Sequence, residues 1–505
     1  MAPPAAELKA MTDAFEGIDR LAEGAPRTEG APNFRRLPGF PLFGTGQTTI
    51  QGFETCLEPV LKKYGDEKHI FWVNLRQEPV VYVNNKPFTA RDPKNLEIVI
   101  DPHNPNQDIN FHLEINNPEE CAAIEQEFAE EIKKRGDEFK FFKDQFGEHP
   151  EERATNVEST EKLECVTTVN EIYAAIKEKV PKLEPLRIPM NQEQAPAEAN
   201  FDQIVAMLKD TTASCPVIFN CQAGISRTTT AIVIAALVKE LQLARELERM
   251  RGIVPDDILD ALKKKKLGLP GIDIDVQEDR NAMQMGEFEV IKELLSAFPN
   301  AKVAKAQVDK LIDLAAPPPR GTGVENIREC IIESKMSFDV SSDDWQAYLK
   351  NKIMNNIERY FYLIVFAMYV REVGPKGFPQ TFTQFMDANS NLRTMIAEGR
   401  GKLEWERKIP DEKLEELKAL LAAAEFKENM KLIIKRIYEL SWDMFGDLPR
   451  GHHKNNSMHK LASKTMIEIL PPNLAAHIEK KCGSLAGTPD FFDVIGQVSW
   501  YEPEA

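Results

Sequence analysis

Residues Val217 to Val238 read VIFNCQAGISRTTTAIVIAALV, and three local patterns follow one another there. Pro216 to Phe219 is a short apolar run, which suits a strand buried on both faces. Gly224 then permits a tight backbone before Arg227. From Thr228 to Leu241 the side chains are almost wholly apolar, which predicts a central buried helix. Strand, tight loop and buried helix in that order predict an α/β fold with a mostly parallel central sheet flanked by helices.

The loop also has a chemical reading. Cys221 and Arg227 enclose Gln222, Ala223, Gly224, Ile225 and Ser226. A cysteine with an arginine six positions later is a weak pattern by itself in a chain with seven cysteines. The strand before it and the helix after it raise its weight. Residues curled between the two can point their backbone N–H groups inward, as a nest for the oxygens of a phosphoryl group. Those donors, the positive end of the following helix and Arg227 all favour a thiolate at Cys221. A thiolate can attack phosphorus in line and form a phosphocysteine. Arg227 offers a planar fork to two phosphoryl oxygens. Ser226 or Thr228 can donate a hydrogen bond to the sulfur and ease its departure.

Composition narrows the alternatives. At 505 residues the chain exceeds one ordinary core, so at least one further helical unit is expected. A content of 42% hydrophobic and 28% charged residues is that of a globular protein. The net charge of -17 argues against a general nucleic-acid binder, which needs a basic face, but leaves room for a small basic pocket. Cys56, Cys121, Cys165, Cys215, Cys221, Cys330 and Cys482 form no CxxC pair and read as reduced thiols. The first residues, MAPPAAELKAMTDAFEG, lack the basic and apolar regions of a signal peptide. The longest apolar stretch, Tyr360 to Val370, falls short of the roughly 20 residues of a spanning helix. A cytoplasmic location is the expectation.

Residues 1–30 are rich in Ala, Pro, Glu and Gly and are expected to be a disordered lead-in. A cysteine-dependent phosphatase domain is expected over 31–300, a helical extension over 301–400, and a helical region of unknown role over 401–505. Ile70 to Leu75 and Pro79 to Val83 read as strands, the second entering a turn at Asn84-Asn85. Asn117-Pro118 opens a helix whose inward stripe is Cys121, Ile124, Phe128 and Ile132, with Gly136 as its stop. Asn200 to Leu208 reads as helix, Asp313 to Gly323 as a linker, and Ile357 to Glu372 as a core helix. Charged helices are expected near 402–425 and 426–445.

The loop CQAGISRT resembles that of the dual-specificity branch of the protein tyrosine phosphatase superfamily. Further segments resemble the paladin-like proteins of that superfamily. They are APNFR (31–35), FGTGQTTIQG (43–52), WVNLRQEPVVYVNNKPF (72–88), RIPMNQEQAPAEANFD (187–202) and ERYFYLIVFAMYVRE (358–372). They occur in the order those proteins show, over roughly residues 31–390. NLRQE is also similar to the bacterial cysteine phytases, which hydrolyse inositol polyphosphates.

The resemblance implies phosphomonoester hydrolysis without cofactor or metal, on a phosphorylated protein (Tyr or Ser/Thr) or an inositol phosphate or phosphoinositide. It also implies substrate contact by Arg76 at the pocket mouth, with Arg187 as a similar candidate. Two departures stand out. Paladin-like proteins carry two such modules, and here one is read. Aligning on Pro196 puts Gln192 where the general acid, an aspartate, is expected, and an amide cannot give up a proton. Glu193 is the adjacent substitute, while Glu198 and Asp202 are less well placed. A catalytically inactive phosphate-binding scaffold is therefore the rival reading. The run Lys263 to Lys266 suits either the solvated end of a helix or peripheral contact with phosphoinositide headgroups. His452, His453 and His459 show no metal-ligand spacing.

Overall fold

The computed structural model describes residues 4–13, 25–92, 115–145, 155–251, 285–316, 326–340, 343–402, 411–422, 426–444 and 452–470, with a few isolated positions besides. In chain order the first strands are β1 (Lys9–Thr12), β2 (Arg35–Arg36), β3 (Leu42–Thr45), β4 (Ile70–Arg76), β5 (Val80–Val83) and β6 (Lys86–Arg91). They are followed by β7 (Glu138–Gln145), β8 (Thr155–Lys162), β9 (Val166–Thr168), β10 (Leu183–Met190) and β11 (Val217–Asn220). The helices among and after them begin with α1 (Ile50–Tyr64), α2 (Pro118–Lys134), α3 (Val169–Lys179), α4 (Glu198–Leu208) and α5 (Ser226–Met250). Next come α6 (Glu289–Ala297), α7 (Ala301–Ala315), α8 (Ile327–Val340), α9 (Asp343–Glu372), α10 (Phe382–Ala388) and α11 (Asn391–Lys402). The last three are α12 (Asp411–Ala422), α13 (Phe426–Met444) and α14 (His452–Ile469).

A five-stranded sheet in the order β10-β4-β11-β3-β2 forms the centre. It is parallel except for β2, which runs antiparallel to β3. Alternating residues on each strand serve two cores, as the period of a pleated strand requires. Val217 and Phe219 face α4, α5 and α9, while Ile218 faces α1 and α3. On β4, Val73 and Leu75 face the first core, and Ile70 and Trp72 the second. The outcome is a three-layer α/β arrangement with β11 at its centre. Helix α5 runs against this sheet, and every residue from Arg227 to Lys239 is buried.

A second sheet, six strands in the order β8-β7-β1-β6-β5-β9, lies beyond the sequence-based expectation. Its pairs are antiparallel apart from β1 with β7. Strand β8, TNVESTEK, is polar on both faces, so it carries no apolar alternation to read. The turn from β5 to β6 follows the reading of Asn84-Asn85. Both residues take the left-handed conformation, φ 50° and 67°, which fits a two-residue hairpin pairing Val83 with Lys86.

Two local expectations are corrected. Lys9 to Thr12, inside the expected lead-in, form β1 and pair with β6, and Asp13 after them is 2% exposed. Their order comes from partners about 80 positions away, which composition cannot convey. Asp313 to Ala315, the start of the expected linker, are the last turn of α7, and Asp313 is buried against Arg328. By contrast α2 starts at Pro118 with the Asn117 side chain accepting from the N–H groups of Glu119 and Glu120.

Helices α6 to α11 are not peripheral to the sheet. Ile291, Val308, Ile312, Val365 and Phe366 share one hydrophobic core with Val217, Phe219 and Ile232. The Phe366 ring lies 5.0 Å from Phe201 on α4 and 5.3 Å from Phe382 on α10. A smaller core gathers Leu417, Ile433, Ile437, Ala462 and Met466 from α12, α13 and α14. Among the described residues no helix is long and apolar enough to cross a membrane. Phe366→Ala is expected to cost ~3–5 kcal/mol in denaturant titrations. Far-ultraviolet and tryptophan signals should shift together, and separate transitions would show the helices folding apart from the sheet.

Candidate active site

Cys221 follows directly on β11, at the carboxyl end of the parallel strands, the usual place for a site in such a sheet. The residue before it is held firmly. Asn220 accepts from the Trp72 indole at 2.8 Å and donates to Gln47 at 3.2 Å. Trp72 in turn stacks on Phe53 with ring centroids 3.6 Å apart. Cys221 itself is 3% exposed, and the Thr228 hydroxyl donates to its sulfur at 3.1 Å.

The carbonyls of the loop after Cys221 are turned towards a surrounding collar. The Gln222 carbonyl accepts from the Gln47 N–H at 2.8 Å, that of Ala223 from the Asn33 side chain at 2.7 Å, and that of Gly224 from Arg35 at 2.7 Å. Arg35 also reaches the Thr229 hydroxyl at 2.8 Å. Burial pulls the Arg35 pKa down to about 10, with Cys221 acting in the opposite direction. With the carbonyls engaged outward, no protein acceptor meets the N–H groups of Gln222 to Ser226 among the described residues. Gly224 has φ +74°, and a Cβ there would lie 2.4 Å from the Gly46 nitrogen. A Cβ on Gly46 would in turn lie 2.8 Å from the Gln222 carbonyl oxygen. The FGTG segment is thus the floor on which the loop rests.

Arg227, 3% exposed, is gripped by Glu78 through two contacts, 2.9 and 3.0 Å. Its remaining bonds run to the Met190 carbonyl at 3.3 Å and the Gln192 side-chain oxygen at 3.2 Å. Burial alone would lower the Arg227 pKa, but Glu78 and Cys221 outweigh it and the net shift is upward. Glu78 also accepts from Arg76 at 3.2 Å, and Arg76 pairs with Asp13 at 2.6 Å. Asp13 closes the circuit by accepting from the Gln222 side chain at 3.0 Å. Strand β1, the β4–β5 connection and the loop are therefore joined in one buried polar network.

The structure places Cys221, Gln222 to Ser226, Arg227 and Thr228 in one loop and the first turn of α5. It corrects Arg76, which is fully buried and spent on Asp13, Glu78 and Thr89 instead of standing at a pocket mouth. The alternation of β4 turns it inward, where two carboxylates neutralise it. Arg187 is half-buried and pairs with Glu125 at 2.6 Å. Glu198 pairs with Arg393 at 2.6 Å, and Asp202 accepts from the N–H of Thr383 at 3.3 Å, so both brace helices. Glu193 lies half-buried in the loop before Pro196, its N–H donating to the Asn191 side chain at 2.8 Å. Lys263 to Lys266 lie outside the described residues. His459 meets the Tyr438 hydroxyl at 3.0 Å.

Several site residues escaped the sequence reading. Asp13, Asn33, Arg35, Gln47 and Arg359 were not singled out, and Glu78 was not placed. One signal was available for Arg359, a charged residue directly before the longest apolar run, Tyr360 to Val370.

With the geometry in view, comparisons with known proteins are informative. A PTP-like phytase family model, described by inositol hexakisphosphate, matches residues 73–239. Paladin from Danio rerio is 27% identical over 409 residues, covering 76% of this chain and 42% of its own length. Paladin from Xenopus tropicalis is 25% identical over 360 residues, covering 70% of this chain and 36% of its own. The chain thus spans about two-fifths of the length of these relatives. Among solved structures, the PTP-like myo-inositol phosphatase of Mitsuokella multacida aligns over 77% of this chain and 49% of its own, with 14% identity and a TM-score of 0.41. A PTP-like phytase from Bdellovibrio bacteriovorus aligns over 76% of this chain and 96% of its own, with 13% identity and a TM-score of 0.37. On the sequence matches, the chain is similar to paladin over 70–76% of its length, and its residues 73–239 match the PTP-like phytase family model.

Proposed function

We propose that the chain hydrolyses phosphomonoesters through a phosphocysteine formed on Cys221. The observation that supports this best is the collar of Gln47, Asn33 and Arg35. It turns three successive loop carbonyls outward and leaves the N–H groups of Gln222 to Ser226 for an oxyanion. In the first step the Cys221 thiolate attacks phosphorus and the P–O bond to the leaving group breaks. In the second, water attacks phosphorus, the S–P bond breaks, and the Thr228 hydroxyl steadies the departing sulfur. Arg227 neutralises the transferred group, its orientation set by Glu78.

The leaving oxygen needs a proton, and Gln192 has none to give. Glu193, the neighbouring carboxylate, is the proposed acid in the first step and base in the second. A substrate with a good leaving group suffers least from an imperfect acid, which favours aryl phosphates such as phosphotyrosine. Arg35, Arg76, Arg187 and Arg359 all hold protein groups, which fits recognition of one phosphoryl group better than of several. Inositol phosphates, the ligand class of the matching family model, are the competing substrates.

A phosphate-binding scaffold without turnover is the second reading, and one observation favours it. The side chain at the acid position is bonded to Arg227 itself, so Gln192 occupies part of the fork a phosphoryl group would use.

Phosphate release from para-nitrophenyl phosphate, a phosphotyrosine peptide and inositol hexakisphosphate separates these readings. Cys221→Ser should abolish release while tungstate still binds; release that survives it would sink the cysteine mechanism. Gln192→Asp should raise kcat by ~10²–10⁴ on peptide substrates if the missing acid limits the rate. Glu193→Gln should lower kcat and flatten the alkaline limb of the kcat/KM profile, where the acid of the first step loses its proton. Glu78→Gln leaves Asp13 as the one carboxylate for two buried guanidinium groups, so a loss of about 3–5 kcal/mol in stability is expected by chemical denaturation, together with weaker tungstate binding.

A further inference from the structure

Arg359 lies in α9, beyond the matched residues 73–239, and it is 2% exposed. Its guanidinium makes three polar contacts, and none is with the core around it. One N–H donates to the Ser226 hydroxyl, in the loop that follows Cys221. The others donate to the carbonyls of Gln192 at 3.0 Å and Gln194 at 2.9 Å, in the loop that carries the acid position. Those two carbonyls belong to a turn whose N–H groups are already fixed from within. The Asn191 side chain accepts from the N–H of Glu193 at 2.8 Å and of Gln194 at 3.0 Å. Arg359 therefore completes the turn from outside and ties it to the first residue of α5.

The surroundings make this an expensive place for a charge. Tyr360, Phe361, Leu363, Ile364 and Val365 are fully buried after it, and the Nε of Arg359 has no hydrogen-bond partner among the described residues. A guanidinium buried with one donor unmet is destabilising unless its other bonds are strong. Here those bonds all join two loops that come from different parts of the chain.

We infer that Arg359 is a positioning residue that holds residues 191–195 against the phosphate-binding loop. Helix α9 is then a working part of the site. Gln192 is fixed from both sides, its backbone by Arg359 and its side chain by Arg227. Glu193, between the two held carbonyls, keeps its distance from the loop only while the tie is made. The consequence for turnover rests on the phosphatase reading, whereas the tie itself does not.

The test uses the full chain with Arg359→Met and Arg359→Lys. Amide hydrogen exchange is followed in residues 191–195 and, as a fold control, in the interiors of α5 and α9. In the Met variant exchange at 191–195 should speed up roughly 10- to 100-fold, the loss expected for two charge-assisted hydrogen bonds. Exchange in the two helices should stay slow. Lysine cannot span three acceptors and should restore part of the protection. With para-nitrophenyl phosphate, kcat should fall more than KM changes in the Met variant, with partial recovery in the Lys variant. Unchanged exchange at 191–195 alongside intact helices would overturn the inference. If the wild type releases no phosphate, the hydrolase reading fails and the exchange data alone decide this one. If the Met variant does not fold, the Lys variant carries the same comparison: faster exchange at 191–195 supports the tie and unchanged exchange rejects it.

Discussion

The site depends on the Glu78 carboxylate, which lies between two buried guanidinium groups, Arg76 and Arg227. Asp13 supplies the second negative charge, on the far side of Arg76. Two carboxylates and two guanidinium groups, each no more than 3% exposed, make a neutral buried set. Such a set is costly to desolvate and becomes tolerable only when every partner is in place. Its four members come from just after the first strand, the end of β4 with the connection to β5, and the start of α5. Closing the network therefore brings together three parts of the chain that no local preference would join.

The same logic explains how an acidic chain can house an anion site. A net charge of -17 describes the whole surface, whereas the loop sees only what lies within a few ångströms of it. There, Arg35, Arg227 and Arg359 converge and the first turn of α5 contributes the positive end of its dipole. Each of these cations also holds protein acceptors. They shape the loop as much as they charge it, because each guanidinium turns a carbonyl or carboxylate in a defined direction.

Helices α6 to α11 show how the sheet and the later chain share responsibility. Phe366 and Tyr369 pack with Phe201 and Phe382 in one core with the face of β11 that carries Val217 and Phe219. The face that buries α9 apolar residues is the one from which Arg359 reaches the loops. Packing thereby sets the height of a polar contact, and the aromatic cluster gives the guanidinium a rigid mount.

The sequence by itself determined the strand, loop and helix around Cys221, because each is a local pattern: an apolar run, a glycine at φ +74°, and an almost wholly apolar helix. It also determined the Asn84-Asn85 hairpin and the Asn117 cap, where side-chain chemistry acts within a few residues. The polar, two-faced β8 and the ordered strand at Lys9–Thr12 carried no such pattern and went unread. Only the tertiary structure decided what Arg76 does, since β4 turns it inward to Asp13 across 63 positions. The same holds for Glu78 with Arg227, 149 positions apart, and Arg359 with Ser226, 133 apart. A charged side chain has no periodicity that reveals its partner, so its role is fixed only when the apolar cores bring distant segments within hydrogen-bonding distance.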